Sequence, residues 1–132
     1  YTQITTLDNL PNTLTKLNCS STQITSLNCL PNTLTKLNCS STQITKLDNL
    51  PNSLKKLYCS YCYSITSLDN LPNNLTELDC SSTKITCLDR LPNSLKELNC
   101  SWTNINLEKI KLNSFNKFLF IFYLKSYIKF RQ

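Results

Sequence analysis

Residues 34–53 read Leu34-Thr35-Lys36-Leu37-Asn38-Cys39-Ser40-Ser41-Thr42-Gln43-Ile44-Thr45-Lys46-Leu47-Asp48-Asn49-Leu50-Pro51-Asn52-Ser53. The same phrase, LxxLxCSxTxIxxLxxLPNx, opens again at Leu14, Leu54, Leu75 and Leu95, with one residue added in the unit that begins at Leu54. Residues 1–13 form the back half of an earlier unit, because Tyr1-Thr2-Gln3-Ile4 matches Ser41-Thr42-Gln43-Ile44. The unit from Leu95 loses the phrase after Ile105. Self-similarity at a fixed period of this length marks a solenoid, in which each unit is one coil stacked on the next. Leu37 and Cys39 lie two apart, which puts both on one side of a short strand. Stacked units then form a parallel sheet with strands about 4.8 Å apart. Ile24, Leu27, Leu30 and their equivalents fill the same core from the return segment. Proline recurs at one place, as Pro11, Pro31, Pro51, Pro72 and Pro92. Its missing N–H and fixed φ mark a turn, so the return is extended or 3₁₀ rather than α-helical.

One coil cannot stand alone. Full burial of five or six apolar side chains stabilises by roughly 1.5–3 kcal/mol each. Ordering twenty backbone residues costs about 1–2 kcal/mol apiece. The balance turns favourable only when neighbours add hydrogen bonds and cover the open faces, so stability is shared along the stack.

This pattern resembles the leucine-rich repeat, LxxLxLxxNxL, over about residues 2–110. Thr22, Thr42, Thr83 and Thr103 stand at the family's Asn position, and Cys19, Cys39, Cys59, Cys80 and Cys100 replace its third strand Leu. The period of 20 with Leu-Pro near its end is similar to the short repeats of bacterial effectors, and the Asn- and Cys-rich wording to repeats of giant viruses of amoebae. The resemblance implies a right-handed leucine-rich-repeat solenoid with a curved parallel sheet and a 3₁₀ or irregular convex side. Residues 1–110 are expected to form it, with units starting at 14, 34, 54, 75 and 95, and residues 111–132 to be a C-terminal cap or tail. It also implies a binding surface rather than an enzyme.

Composition agrees with a dominant repeat. Gly, Ala, Val, His and Met are absent, and Asn, Thr, Ser, Leu, Lys and Ile take their place. The bias toward residues with AT-rich codons predicts an AT-rich genome, and the missing Met predicts that the natural start lies upstream. Net charge is +6, unevenly placed. Residues 1–106 hold eight basic and seven acidic groups, and residues 107–132 hold six and one. No stretch approaches the roughly 18–20 apolar residues of a membrane span.

Eight cysteines invite a disulfide or metal reading, but five occupy the repeated core position and are most simply small buried hydrophobes. Cys29 and Cys87 fall at variable positions and are expected as surface thiols, which suggests a reducing compartment. Cys59-Ser60-Tyr61-Cys62 has CxxC spacing, yet the chain has no His to complete a zinc site. Cys62 is expected to take the Thr place, displaced by the bulge of the longer coil. The resemblance implies that the Thr column, at the family's polar-ladder place, bonds the turning backbone, which its hydroxyls can do. Sequons such as Asn38-Cys39-Ser40 are products of the repeat. No cofactor is implied.

Function in such a stack sits where otherwise identical coils differ. Outward strand positions run Lys16, Lys36, Lys56, Glu77, Glu97 in one column. They run Asn18, Asn38, Tyr58, Asp79, Asn99 in the next, and Ser21, Ser41, Tyr61, Ser82, Trp102 in a third placed on the same face. The concave face is thus expected to grade from basic to acidic, with Tyr58, Tyr61 and Trp102 as candidate hot spots. Lys16, Lys36, Lys56, Tyr58, Tyr61, Glu77, Asp79 and Trp102 are the candidate protein-binding residues. Tyr61 is also read as a polar position disturbed by the bulge. Nucleic acid ranks below protein, because three Lys and a few Tyr make a thin footprint on a nearly neutral body.

From Asn106 the repeat ends, and all five Phe lie beyond it. Leu107, Ile110 and Leu112 are read as continuing or capping the last coil. The rest is open to three readings: a cap, a basic amphipathic segment touching membrane, or non-selected sequence. Expected overall is a protein-interaction module in a cytoplasmic, reducing compartment, with secretion into a host cell as a variant. The alternatives are the recognition part of a larger secreted effector, such as a ubiquitin ligase whose catalytic domain lies elsewhere, and a purely structural repeat protein. No small-molecule substrate is expected, since no nucleophile–base pair is visible.

Overall fold

The computed structural model describes residues 3–105. Five three-residue strands follow one another in a single sheet: β1 (Lys16–Asn18), β2 (Lys36–Asn38), β3 (Lys56–Tyr58), β4 (Glu77–Asp79) and β5 (Glu97–Asn99). All neighbours are parallel and in register, so Leu17, Leu37, Leu57, Leu78 and Leu98 stack as one column. No helix lies among the described residues, and so none there is long and apolar enough to cross a membrane. The return segments are irregular. The 3₁₀ alternative does not occur among the described residues, where Pro31, Pro51, Pro72 and Pro92 instead close tight turns. Their carbonyls accept the N–H of Leu34, Leu54, Leu75 and Leu95 at 3.0–3.1 Å.

The core is one continuous column of Leu, Ile and Cys. Leu34, Leu37, Ile44, Leu54, Leu57, Ile65 and Leu75 are wholly buried, and Leu10, Leu30, Leu50 and Leu71 pack against them partly covered. Hydrogen bonding between coils continues past the strand ends. The N–H of Cys19, Cys39, Cys59 and Cys80 each reaches a carbonyl of the next coil at 2.8 Å. Ser21, Ser41, Tyr61 and Ser82 do the same two residues later at 2.8–3.0 Å.

Three side-chain ladders replace what a helix would supply. The hydroxyls of Thr22, Thr42, Thr83 and Thr103 each donate to the carbonyl of the Cys three residues earlier at 2.7 Å. Asn18, Asn38, Asp79 and Asn99 each accept the N–H two residues on, which stops the strand in an Asx turn. After each Leu-Pro-Asn, Ser53 and Ser94 donate back to Leu34 and Leu75 of the coil behind. The chain has no glycine. Left-handed turn positions are therefore filled by residues with a Cβ, among them Asn9, Ser21, Cys29, Ser41, Tyr61 and Trp102, at φ near 60°. Such a conformation costs roughly 1–2 kcal/mol.

The cysteines behave as packing. Cys19, Cys39, Cys59 and Cys80 are buried, Cys100 is half-buried, and all eight are free thiols. Cys29 and Cys87 are exposed. Cys62 takes the Thr place and is buried. Its thiol lies 3.2 Å from the carbonyl of Cys39 and 3.4 Å from the hydroxyl of Thr42. The expected displacement of Cys62 and Tyr61 does not occur. Cys62 stays on the Thr column and Tyr61 keeps the left-handed place of Ser21 and Ser41. The extra residue is accommodated after Cys62, at Tyr63-Ser64, where Ile65 N–H turns back to Cys62 O at 3.1 Å. The expectations for Leu107, Ile110, Leu112 and residues 111–132 lie outside the described residues.

Burial pushes the Cys59 and Cys80 thiols well above the ordinary 9.0, and Cys19 and Cys100 up to about 11. Cys39 is raised most by its contact with Cys62, then by burial. Cys62 is held low, at about 6, first by Cys39 and, against the cost of burial, also by Thr42.

Thr42→Val keeps the shape and removes the hydroxyl. A lost buried hydrogen bond costs roughly 1–3 kcal/mol, so the urea midpoint falls, and Thr103→Val at the half-buried end coil lowers it less. Groups whose folded pKa is raised add stability that is complete below their unfolded value and disappears as pH climbs toward the folded one. Cys19, Cys39, Cys59, Cys80 and Cys100 all act in this direction; Cys62, whose folded value is lowered, acts in the opposite sense, adding stability that is complete only above its unfolded value. Thermal unfolding temperature therefore drops between about pH 8.5 and pH 11. An unchanged temperature across that range would contradict the buried ladder. In native protein, alkylation mapped by mass spectrometry marks Cys29 and Cys87 first. Cys62 follows at the slow rate of the core, because access and not acidity limits a thiol with no exposed surface.

Candidate functional site: the concave face and its rim

Parallel register turns each outward position into a column whose members are about 4.8 Å apart. In the first column Lys16 lies beside Lys36, Lys36 beside Lys56, Lys56 beside Glu77, and Glu77 beside Glu97. The gradient from basic to acidic read from the sequence is present, but its middle is neutralised internally. Lys56 Nζ meets Glu77 Oε2 at 2.5 Å, and the Tyr58 hydroxyl donates to the other oxygen, Glu77 Oε1, at the same distance. The Glu77 carboxyl is held below its usual range by Lys56 first and by Tyr58 second. The same bonds raise the pKa values of Lys56 and Tyr58. Lys36 Nζ stands 5.1 Å from the centre of the Tyr58 ring, within cation–π reach.

Tyr58 is thus clamped from both sides, by a carboxylate at its hydroxyl and an ammonium over its face. Lys16 and Lys36 form no ion pair among the described residues. With Leu17, Asn18, Asn38 and Tyr58 they line a shallow hollow of about 490 Å³ on the basic part of the face. Its floor is apolar and its edge carries amides and two uncompensated cations.

The second column is largely occupied by the fold. Asp79 accepts from the N–H of Ser81 at 3.0 Å, its hydroxyl at 2.6 Å and the Asn99 amide at 3.1 Å. Tyr58 replaces the Asx residue in its coil and turns its polar group to the Glu77 side chain, in the first column of the neighbouring strand.

The third column is not on the strand face. Ser21, Ser41, Tyr61, Ser82 and Trp102 sit past the strand ends, in the left-handed turn at the rim, at φ 54–58°. Each strand stops after three residues, at an Asx turn in four of the five coils, so the alternation of sides cannot be extended to this position. Tyr61 and Trp102 are exposed there. Tyr63, which sequence reasoning passed over, joins them. Its ring meets that of Tyr61 edge to face, 6.4 Å between centres at 75°. The available signal was the length of the third coil: the residue that makes it 21 long had to protrude, and that residue neighbours an aromatic. Tyr63 and Trp102 flank a second shallow hollow of about 390 Å³, lined also by Ser82, Thr83, Lys84 and Asn104.

Cys59 and Cys62 both lie in the core, and the described residues include no group of three or more His, Cys, Asp or Glu able to hold a metal. The described surface presents ammonium groups, amides, phenols and an indole.

No protein-family model matches the chain, and no curated protein does. Solved structures do. YopM from Yersinia enterocolitica WA-314 aligns with a TM-score of 0.69 and 33% identity, over 76% of this chain and 22% of its own. The leucine-rich-repeat domain of a Shigella effector aligns with a TM-score of 0.72 and 34% identity, over 85% of this chain and 49% of its own. The chain thus spans from about a fifth to a half of the length of these structures. Repeat phrase, in-register sheet, irregular return and these neighbours agree: the chain is a leucine-rich-repeat protein of the short, bacterial-effector-like kind.

Proposed function

We propose that the chain is a protein-recognition module whose concave face seats an acidic segment of its partner against Lys16, Lys36 and Tyr58. One observation carries this reading. Glu77 neutralises Lys56, so the positive potential that remains on the face is concentrated at the two lysines that border the hollow. Single exposed ion pairs are worth only about 0–1 kcal/mol. The lysines therefore set orientation and partner choice more than affinity. Tyr58 supplies the contact area, and its clamp removes rotamer freedom before binding rather than during it.

The effector neighbours favour a wider setting. Both are longer than this chain, and one is described as the repeat domain of an effector. We read the chain as the recognition part of a larger secreted effector, acting in the reducing interior of a host cell and leaving catalysis to another domain. Exposed free thiols at Cys29 and Cys87 suit that compartment.

A fluorescein-labelled oligoglutamate peptide is the probe, titrated against the whole chain by polarisation. Binding is expected in low salt and weakens as salt rises, since the screening length falls from about 30 Å at 0.01 M to about 8 Å at 0.15 M. The double variant Lys16→Glu/Lys36→Glu is expected to weaken it by about tenfold or more. Tyr58→Phe, which keeps the ring and loses the bond to Glu77, weakens it less. Equal binding by wild type and the double variant would remove this face from the reading.

A further inference from the structure

The rim groove is flanked by aromatic residues, Tyr63 and Trp102, that the fold itself does not need. Ser holds the rim position in three of the five coils, so an aromatic is not required there. Tyr61, Tyr63 and Trp102 are 51%, 60% and 73% exposed and contribute nothing to the core. They nonetheless lie along one rim, Tyr61 and Tyr63 on the third coil and Trp102 on the fifth. We propose that this groove is a second docking site, for a proline-rich segment that carries an acidic residue.

Spacing is the first argument. Tyr61 and Trp102 belong to one column and stand two coils apart, which is about 9.6 Å at the strand spacing. Ser82 lies between them, and its small side chain leaves a gap between the rings. A polyproline II helix has three residues per turn and rises 3.1 Å per residue, so its repeat is about 9.3 Å. A segment running along the stack would present a proline to each ring in turn.

Hydrogen bonding is the second. A polyproline II backbone has no internal hydrogen bonds, and its prolines have no N–H to offer. Its carbonyls need donors. The groove supplies the indole N–H of Trp102, the phenol of Tyr63, the Ser82 hydroxyl and the Asn104 amide, and Tyr61 stands at its edge against the Tyr63 ring.

Charge is the third. Lys84 lines the groove, is exposed and forms no ion pair among the described residues, while no acidic side chain lines the groove. An acidic group beside the prolines complements it. A cationic occupant such as methylated lysine, which an aromatic cluster otherwise suits, meets Lys84 with the wrong sign. The site shares no residue with the basic hollow, so it stands whether or not that reading holds.

Trp102 is the one tryptophan of the chain and reports directly on its own groove. The probe is a synthetic peptide with proline at every third position and one Glu, compared with a scrambled peptide of the same composition. The expected result is a saturable blue shift of tryptophan emission with the first peptide and little with the second. Tyr63→Ala is expected to weaken binding about tenfold, as for a truncated aromatic anchor. Lys84→Glu weakens binding to the Glu peptide but not to its Gln counterpart, and Lys16→Glu/Lys36→Glu leaves both unchanged. Tyr63 and Lys84 are exposed, and circular dichroism of each variant checks that the fold persists. Equal shifts with the scrambled peptide would overturn the proposal. So would saturable binding of a trimethyl-lysine peptide, a single-stranded oligonucleotide or an oligosaccharide in place of the proline peptide.

Discussion

Everything in this molecule depends on one constraint: a coil of twenty residues becomes stable only when its upper and lower faces are closed by near-copies of itself. The requirement is met by register. Leu17, Leu37, Leu57, Leu78 and Leu98 lie side by side, and backbone bonds from the Cys and the rim residue continue the match beyond the strands. Because each strand is only three residues long, little of this order is local. It is enforced by contacts that run from coil to coil, and side-chain hydroxyls and amides complete it where a longer strand or a helix would have used backbone alone.

The constraint divides positions into two kinds. Core Leu, Ile and Cys and the Pro positions repeat in every coil, since any one coil rests on the next, while the Thr and Asx places each admit one exception, Cys62 and Tyr58. The outward strand residues and the rim escape that demand. Variation concentrates there, in Lys16 and Lys36 against Glu77 and Glu97, in Tyr58 among Asn, and in Tyr61 and Trp102 among Ser. Surface chemistry can change in this way without disturbing the stack that presents it. The same logic makes the cysteines unremarkable as chemistry: a ladder of Cys39, Cys59 and Cys80 at one core position is a choice of side-chain size, and burial keeps it protonated.

Much of this was legible in the sequence, for identifiable reasons. Stacking at period 20 names the core directly, so Leu37 and Cys39 could be placed inward and Lys36 outward from spacing alone. The hydroxyl role of Thr42 followed from its place at the polar-ladder position of the leucine-rich repeat. What escaped was the point at which alternation stops. Every strand ends after three residues, at Asn99 by bonding the next turn and at Tyr58 without that bond, and this placed Trp102 and Tyr61 on the rim rather than the face. The clamp on Tyr58 was latent in the register, since Lys56 stands opposite Glu77, but only the geometry showed both partners on the two oxygens of one carboxylate. Tyr63 was obscured because a single added residue does not announce where in its coil it protrudes.

That added residue also bears on how the chain finds its fold. Coils this similar invite mistakes: one that stacks a whole repeat out of place still matches Leu to Leu and Cys to Cys, so the native order is poorly separated from shifted orders. The third coil breaks the degeneracy. Its extra turn at Tyr63-Ser64, Cys62 in place of Thr, and the Lys56–Glu77–Tyr58 contacts have no counterpart in the other described coils. It works as a fiducial mark in a self-similar sequence, giving assembly one position from which the coils on either side can be counted.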